Sequence, residues 1–145
     1  MRVPGIWHPC DDGIVRPVLA IDVTDSVGQT LEELFLIDSG ADQTVFSEGL
    51  LNKLGGSTAS APTGVALAGI GGSQSYVQVA VILNLRRSDG GIATIQANFA
   101  AFTDPKATDL SILGRDVLDH FDVILSRRRD EILLLAPPSW YDVHP

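Results

Sequence analysis

The longest alternating pattern of apolar residues, at residues 76–85, constrains the fold more than any other feature of the sequence. From Val77 onward every second residue is Val or Leu, which is the period of a strand with one buried face. The turn sequence Ser88-Asp89-Gly90-Gly91 follows, and residues 92–102 resume the β pattern. Because Asp and Gly tolerate positive φ, this part of the chain is predicted to be a long β-hairpin.

Shorter β-like segments fill most of the remaining chain, which predicts a mostly β fold in one domain. Two short helices are expected, one at 48–54 capped by Ser47 and one at 116–121 capped by Asp116. The domain is predicted to cover residues 15–136, between an irregular N-terminal arm (1–14) and a C-terminal tail (137–145). The further strands are predicted at 15–23, 31–37, 45–46, 65–68, 110–113, 123–125 and 132–135.

Composition and charge exclude several classes of function. The 145 residues carry a net charge of −8, which disfavours nucleic acid and membrane surfaces as partners. The single cysteine, Cys10, excludes an intrachain disulfide, and the three histidines are scattered, so neither a metal nor another cofactor is expected. No apolar segment reaches the roughly 18 residues of a membrane helix, and a cytoplasmic location is expected.

One carboxylate has an unusual position in the sequence. Asp38 follows the apolar run Leu34–Ile37, which predicts a strand buried on both faces, and it precedes Ser39 and Gly40. A carboxylate in such a place needs a partner, hydrogen bonds or a proton. Gly40 would permit a positive φ and turn its amide toward the Asp38 oxygens. These residues alone leave two interpretations open, a catalytic carboxylate and a turn-capping aspartate.

Three segments, taken in order, resemble the retropepsins, the retroviral-type aspartic proteases. Asp38-Ser39-Gly40-Ala41-Asp42 is similar to their active-site loop, Ala68–Gly72 to their flap tip, and Ile112–Asp116 to the signature before their C-terminal helix. The resemblance covers about residues 15–136 and implies a single-lobe barrel with a flap hairpin and one short C-terminal helix. A further hairpin at 122–136 makes the layout more similar to the cellular DNA-damage-inducible and short bacterial members than to the viral ones.

The resemblance also implies roles for individual residues. Asp38 would be the catalytic carboxylate, Ser39 would join its counterpart across a dimer axis, and the Gly40 carbonyl would accept a hydrogen bond from substrate. Asp42 would bind substrate main chain and form a bidentate pair with Arg115. The other implied substrate-binding residues are Leu36, Ala41, Val45, Gly69, Ile70, Gly71, Gly72 and Ile112, and those implied to support the loop are Gly114, Arg115 and Asp116.

Only one Asp-Ser-Gly sequence is present, whereas aspartic proteolysis uses two carboxylates that share a proton. The chain is too short for a two-lobed enzyme, so the second carboxylate would come from another copy. The sequence therefore predicts a homodimeric aspartic endopeptidase that cleaves peptides or proteins beside large apolar side chains. The alternative is a catalytically silent module of the same fold that dimerises or binds peptides.

Overall fold

The computed structural model describes residues 1–54, 66–69 and 72–145. Within these ranges the chain forms ten strands and two short helices. The helices are α1 (Glu48–Lys53) and α2 (Arg115–Leu118). The strands are β1 (Arg2–Pro9), β2 (Val15–Thr24), β3 (Thr30–Ile37), β4 (Val45–Phe46), β5 (Ala66–Gly69), β6 (Gly72–Arg86), β7 (Ile92–Phe102), β8 (Ser111–Leu113), β9 (Asp122–Ser126) and β10 (Glu131–Leu135).

Six of the strands close into a barrel. The sheet runs in the order β5-β6-β7-β4-β8-β3-β2-β1-β10-β9, and a further antiparallel pairing between β2 and β6 closes the part of the sheet from β6 to β2 on itself. The barrel strands are therefore β6, β7, β4, β8, β3 and β2. This closed architecture confirms the predicted mostly β, single-lobe barrel, and it removes edge strands from the central part of the sheet.

The core fills the inside of this barrel. The alternating residues of β6 from Val77 to Leu85 are buried, as the period of two predicted, and the hairpin with β7 pairs from Tyr76 with Phe102 to Arg86 with Ile92. Phe46 is fully buried, with its ring centroid 5.6 Å from those of Phe35 and Phe99. Aromatic rings at this distance pack favourably, and these contacts hold β4 against the core.

The first residues of the chain form a strand, so the irregular conformation predicted for residues 1–13 is wrong. β1 pairs with β10 through its first half and with β2 through its second half. At the change of partner lies Gly5, where a Cβ would be 2.8 Å from the Val18 carbonyl oxygen. Pro4, Gly5 and Pro9 hide the β pattern in the sequence, and pairing with distant strands overrides their low strand propensity.

The two helices differ in how their first turns are satisfied. Ser47 caps α1 as predicted, because its hydroxyl accepts a hydrogen bond from the Leu50 amide at 3.1 Å. The expected cap and bounds of the second helix are wrong. Gly114 occupies the N-cap position of α2 without a side-chain bond, and Asp116 lies inside the first turn. The Asp116 carboxylate instead reaches Thr44, which lies 72 residues earlier in the chain.

The remaining hairpins lie where the sequence predicts them. Gly90, at φ +84°, turns the chain between β6 and β7, and the run of three arginines lies between β9 and β10. β5 pairs antiparallel with β6, from Ala66 with Ser75 to Gly69 with Gly72. The predicted flap-tip residues Ile70 and Gly71 lie outside the described residues. In the part of the chain that the structure covers, no helix has the length and apolarity needed to cross a membrane.

Candidate active site

The candidate site is built where the short strand β8 lies between β3 and β4. β8 pairs in parallel with the end of β3, with Leu36 beside Ile112, and antiparallel with β4, with Val45 beside Ile112. The connection between β3 and β4 must therefore pass around the end of β8. Residues 38–44 make this connection, and we call them the Asp38 loop.

Backbone hydrogen bonds hold the Asp38 loop against β8 and α2. The Asp38 amide donates to the Leu113 carbonyl at 3.1 Å, and the Arg115 amide donates to the Ala41 carbonyl at 2.8 Å. The Asp116 amide donates to the Asp42 carbonyl at 3.2 Å. Two of these donors belong to the first turn of α2, where amides have no partner within the helix. The carbonyls of the loop thus accept hydrogen bonds from the first amides of α2, and these bonds hold the loop in place.

A cluster of hydrogen bonds around the buried Thr44 completes this attachment. Thr44 is 0% exposed, and its hydroxyl donates to Asp116 Oδ1 at 2.6 Å while accepting from the Gly114 amide at 3.0 Å. The Thr44 amide also donates to Asp116 Oδ1, at 2.9 Å. The buried amide and hydroxyl of Thr44 and the buried Gly114 amide therefore each have a partner, as buried groups require. Asp116 and Gly114 therefore contact the loop, Asp116 through Thr44 and not as a helix cap.

Asp38 lies in this loop with its carboxylate turned back onto the following residues. Its Oδ1 accepts a hydrogen bond from the Gly40 amide at 2.9 Å, and its carbonyl accepts one from the Ala41 amide at 3.2 Å. The predicted amide contact of Gly40 is therefore confirmed. The predicted positive φ at Gly40 is wrong, since the positive-φ glycines in the described ranges are Gly13, Gly28 and Gly90.

The structure gives another reason for a glycine at position 40. A Cβ at Gly40 would lie 3.2 Å from Asp38 Oδ1, which is tighter than ordinary van der Waals contact. Asp38 is partly buried, whereas Ser39 and Gly40 are exposed at the surface of the subunit. A partly exposed carboxylate and a neighbouring exposed serine therefore lie in a loop that backbone hydrogen bonds hold in place.

Two of the predicted substrate-binding residues lie side by side next to Asp38. Leu36 and Ile112 are register partners on adjacent strands and are both partly exposed. Their neighbours Phe35, Ile37 and Leu113 are buried in the core. Burial on both faces of residues 34–37 was expected, and this is wrong because Leu34 and Leu36 face away from the core. The exposed sides of Leu36 and Ile112 give the loop an apolar floor.

The other predicted residues differ in their surroundings. Val45 is only 6% exposed and packs with Ala100 and Phe102, while Ala41 is partly exposed. Asp42 pairs with Arg115, as predicted, but through one Oδ1–Nη2 contact and not a bidentate one. The two side chains are 80% and 53% exposed, so the pair contributes little to the stability of the isolated subunit.

A second aspartate, Asp25, is more buried than Asp38, and sequence reasoning gave it no special place. Asp25 is 5% exposed and lies in the turn between β2 and β3. Its Oδ1 accepts the amides of Val27 at 3.0 Å and Gln29 at 2.9 Å. This is the bonding of a turn-capping aspartate. Because it is followed by Ser26 and Val27, Asp25 lacks the Ser-Gly continuation of the Asp38 loop.

Sequence reasoning also missed a groove beside Leu36. It has a volume of about 320 Å³ and is bounded by the β1–β2 turn, by Leu36 and by residues 108–110. Its charged residues come from two distant parts of the sequence, 11–16 and 109, so no local motif marks it. Among the described residues, no group of three or more His, Cys, Asp or Glu side chains is placed to hold a metal ion.

The fold is a closed barrel in which an Asp-Ser-Gly loop passes around the short strand β8, and β8 is followed directly by a helix that begins with Gly-Arg-Asp. This combination defines a retropepsin-like protein. The family model described as retroviral aspartyl protease matches residues 15–126, which is more than half of the chain. The chain therefore belongs to the retroviral aspartyl protease family. No match to the chain was found among curated proteins.

Solved structures support the same fold. The chain is similar to the retropepsin-like aspartic protease from Rickettsia conorii, with 15% identity, a TM-score of 0.58, and coverage of 92% of this chain and 98% of that one. It is also similar to EIAV protease, which was solved with the inhibitor HBY-793, with 24% identity, a TM-score of 0.52, and coverage of 72% and 86%. At these identities the likeness establishes the fold.

Proposed function

We propose that the chain is an aspartic endopeptidase that works as a homodimer, with Asp38 from each of two copies forming the catalytic pair. The observation that carries the proposal is the single Asp38 loop, which is fixed by β8 and α2 and presents its carboxylate and Ser39 at the surface of one subunit. Half of a two-carboxylate site on the outside of a folded subunit needs a second copy to become complete.

The chemistry follows from the pairing of two carboxyl groups. Two carboxylates in contact do not both ionise easily, so the pair holds one proton and titrates as a unit. The ionised carboxylate takes a proton from water, whose oxygen attacks the scissile carbonyl carbon, while the protonated partner donates to the carbonyl oxygen. The tetrahedral intermediate then breaks its C–N bond as the carboxyl that took the water proton passes it to the amine nitrogen. The other carboxylate, now ionised, takes a proton from a hydroxyl of the intermediate, so the pair again holds one shared proton.

The neighbouring residues would orient the peptide for this reaction. The Gly40 carbonyl and the exposed Asp42 would accept main-chain amides of an extended substrate, and Ser39 would bond to its counterpart near the two-fold axis. Leu36 and Ile112 would receive apolar side chains beside the scissile bond, because their exposed faces adjoin Asp38. The β5–β6 hairpin would cover the peptide as a flap.

Among the strands that the structure describes, β9 lies at one edge of the sheet and is a suitable place for the second copy. β9 is the last strand of the sheet and follows α2 by three residues, while the first turn of α2 contacts the Asp38 loop. An edge strand leaves backbone donors and acceptors unpaired and is open to pairing with another chain. Leu125 on this strand is 45% exposed. We propose that β9 of two copies pairs antiparallel, which buries Leu125 and brings the Asp38 loops together.

The direct test is cleavage of a denatured-protein mixture by the wild type and by Asp38→Asn, from about pH 4 to about pH 7, with the mass in solution recorded alongside. The proposal predicts that the dimeric wild type cleaves best in the acidic part of this range and that the variant, also dimeric, does not cleave. A folded dimer that is inactive throughout would favour a silent module that dimerises or binds peptides. Cleavage that survives Asp38→Asn would refute the proposed carboxylate.

A further inference from the structure

The groove beside Leu36 has an apolar floor and a charged rim. Leu36 and Leu110 provide apolar surface, and Thr108 and Cys10 also line the groove. The rim consists of His8, Asp11, Asp12, Arg16 and Asp109. Three carboxylates therefore face one guanidinium and one imidazole, and the carboxylates come from two distant parts of the chain, the β1–β2 turn and the segment before β8.

Two of these charges neutralise each other. Arg16 binds Asp12 through two parallel contacts, Nη1 to Oδ1 at 2.9 Å and Nη2 to Oδ2 at 2.7 Å. These hydrogen bonds, together with one from the Ile14 amide, lower the pKa of Asp12 to about 2. The pair therefore stays charged and matched at any pH at which an aspartic endopeptidase would work. A guanidinium held this way has little free capacity to repel a cation or to attract an anion.

The other two carboxylates have no such partner. Neither Asp11 nor Asp109 makes a hydrogen bond or ion pair with another of the described residues, and both are exposed at the rim. An unpaired negative rim above a leucine floor is complementary to Lys or Arg, whose side chains lay an apolar stem on apolar surface and keep the charged end in water.

The groove and the candidate active site share one residue. Leu36 lines the groove and lies two residues before Asp38, at the parallel pairing with Ile112. A peptide that places one side chain on Leu36 beside Asp38 would place a neighbouring side chain toward the rim. The β1–β2 turn therefore forms a wall of the proposed substrate cleft, although it precedes the family match at residues 15–126.

We infer that Asp11 and Asp109 are specificity-determining residues, which select substrates with a lysine or arginine close to the scissile bond. This inference rests on the proposed function, because the side chain that fills the groove belongs to the peptide bound at Asp38. It refines the expectation of apolar specificity: the peptide would present an apolar residue to Leu36 and Ile112 and a basic one to the groove.

The test compares lysine with norleucine, which has a similar stem and no charge. The probes are fluorescein-labelled octapeptides of Ala, Leu and Phe, in which either lysine or norleucine is placed at each position in turn. Binding is measured by anisotropy on Asp38→Asn, and kcat/KM on the wild type, at about pH 5.5, where free carboxylates are ionised. We expect one position at which lysine improves binding and kcat/KM about tenfold, an effect typical of two partly solvated charge contacts.

One double variant and one control variant separate the effect of the groove from that of the overall charge. Asp11→Asn combined with Asp109→Asn removes the lysine preference at that position, whereas Asp142→Asn, an exposed carboxylate in the tail, retains it. The preference also shrinks between about 50 mM and about 500 mM salt, because screening weakens exposed charge pairs. A preference that survives loss of both groove carboxylates would overturn the inference.

The two readouts distinguish this inference from the proposed function. Lysine-selective binding without cleavage by the wild type would support the role of the groove and refute the proposed endopeptidase activity. Cleavage with no lysine preference at any position would retain the endopeptidase and refute the role of Asp11 and Asp109. Absence of both binding and cleavage would refute both proposals.

Discussion

Gly114 lies directly against the backbone of Gln43, closer than any other residue type would permit. A Cβ at Gly114 would be 2.4 Å from both the carbonyl carbon and the carbonyl oxygen of Gln43, and 2.9 Å from the Thr44 nitrogen. All three atoms belong to the backbone, so no side-chain rotation relieves the overlap. The φ of Gly114 is −96°, which any residue adopts. Glycine is therefore required here for close approach, and this approach brings α2 onto the Asp38 loop.

Replacing Gly114 by alanine tests this packing. We expect Gly114→Ala to lower the free energy of unfolding by about 3 kcal/mol, the upper range for forced overpacking. Urea unfolding measures the loss. The control is Gly49→Ala in α1, where the nearest atom to a new Cβ is Ser47 Oγ at 3.8 Å. That change should stabilise the protein by about 0.5–1 kcal/mol, since alanine favours helix. Equal effects of the two substitutions would contradict the proposed role of Gly114.

The Thr44 hydroxyl gives a second prediction. Thr44→Val removes a donor to Asp116 and the acceptor for the Gly114 amide while the side-chain shape is kept. A buried amide left without a partner costs about 1–3 kcal/mol, so urea unfolding should show a loss in that range. Thr44→Ser retains the hydroxyl and should recover most of it. If valine were tolerated as well as serine, the buried cluster would not be what fixes the loop.

Glu33 gives a prediction for the pH dependence of stability. Its side chain is 13% exposed, and its Oε2 lies 3.6 Å from Lys53 Nζ without a hydrogen-bond partner. Burial raises the pKa of the Glu33 carboxyl above 4.5, and Lys53 only partly opposes this. When folding raises the pKa of an acid, its protonated form stabilises the folded state. This contribution to the free energy of unfolding is complete below the pKa of the unfolded state and is lost as pH rises through the pKa of the folded state.

Glu33→Gln should therefore unfold at a higher urea concentration than the wild type at pH 7, and the difference should vanish below about pH 4. The control Asp142→Asn, in the exposed tail, should show no such pH-dependent difference. A variant less stable than the wild type at pH 7 would mean that the ion pair with Lys53 outweighs the burial of the carboxylate.

The exposed leucine on the edge strand tests the proposed dimer contact. Leu125→Asp places a charge where β9 of two copies would meet, and we expect the dimer dissociation constant to rise at least about tenfold. Sedimentation measures that change, and activity per subunit should fall at low protein concentration and recover at high concentration. Val27→Asp, at a residue 76% exposed in the β2–β3 turn, should alter neither quantity. Unchanged dimerisation in Leu125→Asp would locate the interface elsewhere.

Most of the fold was predictable because its signals are local. The alternation at 76–85, the turn glycine at 90 and the Ser47 cap each depend on a few neighbouring residues, and each lies where it was predicted. The position of Asp38 directly after β3 was predictable for the same reason. These features follow from backbone geometry and hydrophobic periodicity.

What the sequence did not reveal depends on contacts between distant residues. The β character of Arg2–Pro9 comes from pairing with β10 and β2, and the role of Asp116 comes from Thr44, 72 residues away. Asp11 and Asp109 meet across one groove for the same reason. A single sequence does not encode such proximity in any local pattern, so propensity and capping rules gave the wrong result at β1 and at α2.

The most direct test of a carboxylate pair shared between two copies is a mixing experiment. A fixed amount of wild type is refolded with increasing Asp38→Asn, and the cleavage rate is measured at each ratio. If every active dimer needs two Asp38 residues, mixed dimers are inactive and the rate falls in proportion to the wild-type fraction, to about one half at equal amounts and about one tenth at ninefold excess. A rate that stays constant as the variant is added would mean that each subunit acts alone, which contradicts the shared pair.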